Sequence, residues 1–217
     1  MCGRFALTLP PAAVRAYFGY AEQPNFPPRA DIRPTEPVIL VRSSAGARHV
    51  MLARWGFIPA FVKDERDFPL LINARSETAF EKPSFRNAIR RRRCIFLADA
   101  FYEWKKLDEK GRKKQPYRIA RPSCEPLAIG GIHELWASPN GSELETCAIL
   151  TTSANGVVSA VHDRMPVILA REDFDAWLSP ETGQERVLRL MRPADEDVLA
   201  LEPIARVGGD QSSIRSD

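Results

Sequence analysis

Phe101-Tyr102-Glu103-Trp104-Lys105-Lys106-Leu107, the turn Asp108-Glu109-Lys110-Gly111 and Tyr117-Arg118-Ile119-Ala120 read together as one β-hairpin. Two runs rich in aromatic and β-branched residues flank a polar turn that ends on glycine. Outward from this hairpin, residues 95–97, 127–132 and 147–151 supply three more strands. Residues 38–41 and 50–53 supply two upstream, around a turn at 43–46. Helical signals are short. Pro10-Pro11 opens a helix carrying Ala12, Val14, Tyr17 and Phe18, with proline in its first turn. Ser84 is positioned as the N-cap of a helix through Phe85, Ala88 and Ile89, and further helices are expected over 172–178 and 184–191. Strands mixed with short helices, without alternating strand-helix-strand units, predict an α+β fold.

The rest of the composition excludes several classes. At 217 residues, with 44% hydrophobic and 27% charged residues, the chain can bury a sizeable core and is not disordered as a whole. No run approaches the roughly 18 apolar residues that span a bilayer, and Met1-Cys2-Gly3-Arg4-Phe5 does not lead into a signal-type segment. A cytoplasmic protein without a membrane partner is therefore expected. Four cysteines, Cys2, Cys94, Cys124 and Cys147, form no closely spaced pair, so neither a metal site nor a disulfide framework is expected. There is no internal repeat or linker. One domain over 1–217 is expected, with a frayed tail from Gly208 and above all over 210–217.

Charge is unevenly distributed. Residues 86–118 hold 12 basic against 4 acidic side chains, whereas residues 119–217 hold 8 against 16. The basic block combines Arg90-Arg91-Arg92-Arg93 with Lys105, Lys106, Lys110, Arg112, Lys113 and Lys114, interleaved with Phe96, Phe101, Tyr102, Trp104 and Tyr117. Cations among aromatics suit a polyanion with exposed bases. A solvated helix end plus a solvated hairpin would read the same way.

Four groups of residues carry candidate chemistry. Cys2 gains a free α-amine if Met1 is removed, placing an amine of reference pKa about 7.7–8.0 beside a thiol of about 8.5. Such a pair suits an aldehyde, since the amine forms an imine and the thiol closes a five-membered thiazolidine; residue 2 could equally be a frayed start. This reading requires an exposed terminus with nitrogen and sulfur in reach of one carbon. In Asn73-Ala74-Arg75-Ser76-Glu77, Asn73 could orient an amine and Arg75 a phosphate, or Asn73 and Ser76 could cap a turn while Arg75 pairs with Glu77. Strand alternation puts Glu103 on the face of Phe101, so it is either a buried acid with raised proton affinity or an exposed one paired with Lys105. His162, in His162-Asp163-Arg164-Met165-Pro166, is either a proton carrier or a structural histidine bonded to Asp163.

Taken in order, Met1-Cys2-Gly3-Arg4-Phe5, Trp55-Gly56-Phe57-Ile58-Pro59, Asn73-Ala74-Arg75-Ser76-Glu77, Phe101-Tyr102-Glu103-Trp104 and His162-Asp163-Arg164-Met165-Pro166 closely resemble the SOS-response-associated peptidase family, also described as abasic-site processing proteins. The resemblance implies a β-rich core like a distorted barrel, flanked by short helices. It implies a protein that meets abasic sites in single-stranded DNA and captures them covalently as a thiazolidine through Cys2, shielding the lesion from strand cleavage. By that likeness Cys2 is the nucleophile, Asn73 positions its amine, and Glu103 and His162 handle protons. Arg4, Arg75 and Arg164 contact the DNA backbone, and Trp55 or Pro59 lies near the bases. No cofactor or metal is implied, and a monomer associated with the nucleoid, acting at replication forks, is expected. A thiol autopeptidase or lyase-type activity is the alternative chemistry. Ala100, Leu97, Phe61 and His133 depart from the family pattern, the last two standing where tryptophan is more usual.

Overall fold

The computed structural model describes residues 2–208. In chain order its elements are β1 (Phe5–Leu7), α1 (Pro11–Phe18), β2 (Arg29–Ile32), β3 (Pro37–Ser44), β4 (Ala47–Trp55), β5 (Asn73–Arg75), α2 (Arg86–Arg91), β6 (Arg93–Ala98), β7 (Ala100–Lys106) and β8 (Lys114–Ala120). They continue with β9 (Leu127–Ala137), β10 (Glu143–Ser153), α3 (Gly156–Ser159), β11 (Arg164–Pro166), α4 (Phe174–Leu178), α5 (Gln184–Leu190) and β12 (Ala200–Pro203).

Five strands close on themselves. β10 pairs with β4, β4 with β3, β3 with β6, β6 with β9, and β9 returns to β10, which leaves no free edge around the ring. Every residue of β6 is buried, so its run Cys94-Ile95-Phe96-Leu97-Ala98 is apolar on both faces rather than alternating. So small a barrel constrains its staves. A Cβ on Gly131 would lie 2.4 Å from Phe96 and 2.9 Å from the Ala148 carbonyl, so this position on β9 admits only hydrogen. β5 and β11 extend β10 beyond the ring. A second, open sheet runs β12-β8-β7-β1-β2 and packs on the barrel through Phe5, whose ring lies 5.3 Å from Trp55 and 6.1 Å from Phe96. Burying each such ring contributes on the order of 2 kcal/mol.

The α+β class holds, with a barrel and short helices. The hairpin forms over the expected residues, with Glu103 opposite Tyr117. α1 starts on Pro11 and stops at Gly19, whose φ of +67° lets its N–H bond the Arg15 carbonyl at 2.8 Å. Two expectations need correction, and one pairing is not anticipated either way. Ser84 does not cap α2: consecutive turns run into the helix, and the buried Phe85, packed 5.6 Å from Phe57, stands at the N-cap without a side-chain capping bond. β10 pairs in parallel with β4 and β5, an arrangement that the lack of strand-helix-strand units did not suggest. The four arginines do not share one solvated surface. Arg90 and Arg91 are exposed, but Arg92 bonds Glu134 at 2.5 Å, and Arg93 is buried among the carbonyls of Ile89, Arg90, Trp177 and Ser179. Those acceptors close the C-terminal ends of α2 and α4, where helix dipoles favour a cation, although burial still lowers the Arg93 pKa to about 10. The expected frayed tail, residues 210–217, lies outside the described residues. No described helix is long and apolar enough to cross a membrane.

Candidate functional site

Four distant segments meet at residue 2. β1 runs antiparallel to β7, with Phe5 opposite Phe101 and the Tyr102 N–H donating to the Arg4 carbonyl at 3.0 Å, and this register carries the start of the chain back toward Glu103. Asn73 opens β5 beside Ile149 of β10, and its Nδ2 donates to the Cys2 carbonyl at 3.0 Å. His162 hangs from α3 through a 3.0 Å bond from its N–H to the Val158 carbonyl. α3 is itself tied at its start, since Asn155 Oδ1 accepts from the Val158 N–H at 2.9 Å and Glu196 accepts from Gly156 and Val157 at 2.8 and 3.0 Å. Arg164 follows on β11, opposite Ser153.

The site is largely withdrawn from water. Cys2 is 0% exposed and Glu103 only 4%. Burial pushes the Cys2 thiol far above its ordinary value, and the Glu103 charge adds to the effect. Burial likewise raises the Glu103 carboxyl, while His162 partly offsets the shift. The nucleophile candidate is therefore a neutral thiol beside a carboxyl that holds its proton unusually well. His162 Nδ1 has two partners: the Arg164 N–H donates to it at 3.0 Å, and Asp163 Oδ1 lies 2.8 Å away. Only an unprotonated Nδ1 accepts from Arg164, and only a protonated one donates to Asp163. The ring therefore has a partner in either form.

Three arginines surround this centre. Arg164 grips the Glu77 carboxylate with two bonds of 2.6 and 2.9 Å and also reaches the Thr151 carbonyl at 2.7 Å. That fork holds the Glu77 carboxyl below its usual range. Arg4 lies over the Trp104 ring at 5.4 Å, with Nε 3.4 Å from Asp31. Arg75 is exposed.

These placements decide between the sequence alternatives. Glu103 faces the interior rather than pairing with Lys105 in water. Asn73 reaches Cys2 instead of capping a turn, and Glu77 takes Arg164 as partner rather than Arg75. The expectation of an exposed terminus is corrected, because Cys2 is packed among core side chains. Trp55 is also buried, its Nε1 donating to the Ile72 carbonyl at 2.9 Å, and Pro59 is buried too, so neither presents a surface to a base. The exposed aromatic of that segment is Phe61, at 60%. Sequence reasoning missed Asp31 as the partner of Arg4, and Glu77 as that of Arg164, 87 positions away. Nothing local in the sequence connects either pair.

The barrel, the second sheet and this convergence define a class of protein built around its own second residue, with an amide, a buried carboxyl and an imidazole gathered about it. Residues 1–208 match the family described as SOS response associated peptidase (SRAP), and the chain belongs to that family. Among its relatives is the abasic site processing protein YoqW of Bacillus subtilis, 38% identical over 201 residues that cover 91% of this chain and 89% of the relative. The abasic site processing protein HMCES of Gallus gallus is 30% identical, over 100% of this chain and 76% of its own length. A crystal structure of a protein from Bacteroides thetaiotaomicron shares the fold with a TM-score of 0.85 and 28% identity, covering 94% of this chain and 92% of that one.

Proposed function

We propose that this protein processes abasic sites in single-stranded DNA by covalent capture at Cys2. The observation that carries the reading is the grip on residue 2. Its carbonyl is held by Asn73 Nδ2 at 3.0 Å, and its thiol is buried within electrostatic reach of Glu103. Removal of Met1 frees the Cys2 amine; because Cys2 is fully covered in the folded chain, the start of the chain has to shift to admit the sugar before that amine attacks C1′ of the ring-opened deoxyribose. The carbinolamine loses water to give an iminium, with Glu103 donating the proton that leaves as part of that water. The thiol then adds to the same carbon and gives up its proton to Glu103 or His162, closing the thiazolidine. One water is released and no external co-reactant is needed. Because the thiol is held neutral, the amine acts first and ring closure depends on a nearby base. Closure also removes the iminium that would drive β-elimination, so the strand stays intact.

Arg4, Arg75 and Arg164 serve phosphates in this scheme. Arg164 and Arg4 are held by carboxylates that a phosphate can replace, while Arg75 already faces solvent. Phe61 takes the base-facing role first expected of Trp55 or Pro59.

Denaturing gels test the reading. Protein lacking Met1 is expected to give a heat-stable shift with abasic single strands and none with intact ones. Peptide cleavage without any adduct would replace capture with thiol hydrolysis.

A further inference from the structure

The hairpin beyond Glu103 holds a cluster of charge that neither the fold nor the reaction centre uses. Lys105, Lys106, Lys110, Arg112, Lys113 and Lys114 are all exposed, against two acids, Asp108 and Glu109. None of the six meets a carboxylate within 4 Å among the described residues. Asp108 instead closes the turn, accepting from the Arg112 and Lys113 N–H groups at 2.8 and 3.0 Å.

Register gives this charge a direction. Lys105 sits two residues beyond Glu103 on the same strand and shares its face, about 7 Å further along. Lys106 and Lys114 stand directly opposite each other across the ladder. Like charges so placed oppose hairpin formation. A hairpin serving only its own stability gains nothing from that pair, whereas an anion lying over it turns the repulsion into attraction.

We propose that residues 105–114 form a phosphate-binding arm that follows one single-stranded flank away from the lesion. The inference rests on the abasic-site reading for the position of the lesion and on the hairpin itself for its ligand. Six or seven residues of extended chain carry the tip about 20 Å from Glu103, a span of up to about six phosphates at roughly 3.4 Å per stacked nucleotide. The arm leaves the site in one direction only. It therefore reads one flank and not the other.

The test uses the full chain with Lys106, Lys110, Lys113 and Lys114 all changed to Gln, none of which belongs to the reaction centre. Binding of an intact oligonucleotide is measured against salt, and adduct formation is measured with an abasic oligonucleotide at saturating protein. The expected result is a salt slope shallower by about 0.7 for each phosphate that the variant no longer neutralises, up to about 2.8 for four, with an unchanged adduct rate at saturation. Trimming one flank, and only one, should weaken the wild type and leave the variant unaffected. An unchanged slope, or equal sensitivity to both flanks, overturns the arm. A variant that melts below the wild type also overturns it, since the lysines would then serve the fold. A slope change seen only with a double-stranded flank overturns the single-strand assignment. Wild-type protein that binds with the expected slope yet forms no adduct refutes the capture reading and spares the arm.

Discussion

Two regions of this molecule hold nearly the same chemistry. Around Cys2 stand Glu103, His162 and Arg164; in the barrel wall stand Cys147, Cys94, Glu145, Glu134, His133, Arg42 and Arg92. Both contain buried thiols pushed up by burial, and carboxyls, buried or partly buried, whose proton affinity desolvation has raised. The difference is how the chain delivers them. Cys147 and His133 face each other in mid-strand on β10 and β9, with ladder bonds on both sides. Cys2 comes from a chain start, Asn73 from a three-residue strand and His162 from a loop. Clustered titratable groups do not by themselves make a reaction centre. A thiol on a barrel stave has no α-amine beside it, whereas Cys2 acquires one when the peptide bond ahead of it is cut.

Exchanging the two thiols should break the symmetry most sharply. Cys2→Ser, or an extension of one unremovable residue ahead of Cys2, is expected to abolish thiazolidine adducts while leaving salt-sensitive binding of single strands intact. Cys147→Ala should form adducts normally and lose about 1 kcal/mol of stability through the small cavity it leaves. Mass spectrometry of the adduct and a denaturant titration check the two halves. Adduct formation by the extended chain would remove the α-amine from the scheme.

The acids of the two regions are expected to separate next. Glu103→Gln should slow capture by about 100-fold, the lower range for general acid–base catalysis, with near-wild-type equilibrium binding. Glu145→Gln should leave the capture rate unchanged. Equal loss of binding and rate in Glu103→Gln would assign Glu103 a structural role. The same substitution carries a stability signature. Because burial raises Glu103, the folded chain holds its proton more firmly than the unfolded chain does. Stability therefore falls as pH rises above the ordinary carboxylate range, and Glu103→Gln should flatten that fall.

The histidines differ in a way that pH resolves. His133 is lowered to about 4 by burial and by Arg42 and Arg92, even though Glu145, itself raised, lies 3.5 Å away and Glu134 adjoins it in sequence. The unfolded chain protonates this ring near 6.5 and the folded chain near 4. The stability contributed is therefore complete above pH 6.5 and is lost as pH falls through that window, about 3 kcal/mol at most. Thermal melts of His133→Asn between pH 4 and 7 should show a flatter acid arm than the wild type. An unchanged arm would mean that His133 does not set the acid response; Glu134 and Glu145, both raised, act in the opposite direction, adding stability as pH falls.

The sequence exposed the candidate site more readily than the wall. Cys2, Asn73, Glu103 and His162 each lie in a short motif whose residue types suggest chemistry. The hairpin was legible because its alternation and its turn are local. The closure of β10 onto β9, the parallel entry of β5 and the paths of Arg93 and Arg164 were not, because each is set by partners tens of residues away. Burial was the least legible property. Trp55 lies in a motif that looks functional, yet it fills the core, and a basic run that looks like one patch splits between solvent, an ion pair and two helix ends.

The smallest expected effect concerns access. In a chain that retains Met1, Cys124 is exposed whereas Cys2, Cys94 and Cys147 are buried. A bulky thiol reagent should therefore modify one cysteine quickly and the other three only on unfolding. Mapping the rapid modification to Cys124 supports a site that keeps its nucleophile covered until the terminus is processed. A second rapid thiol mapping to Cys2 would mean that the terminus opens without processing. The contrast between the two regions would then rest on the amine alone, since burial would no longer distinguish a thiol held in reserve from one that simply fills a barrel.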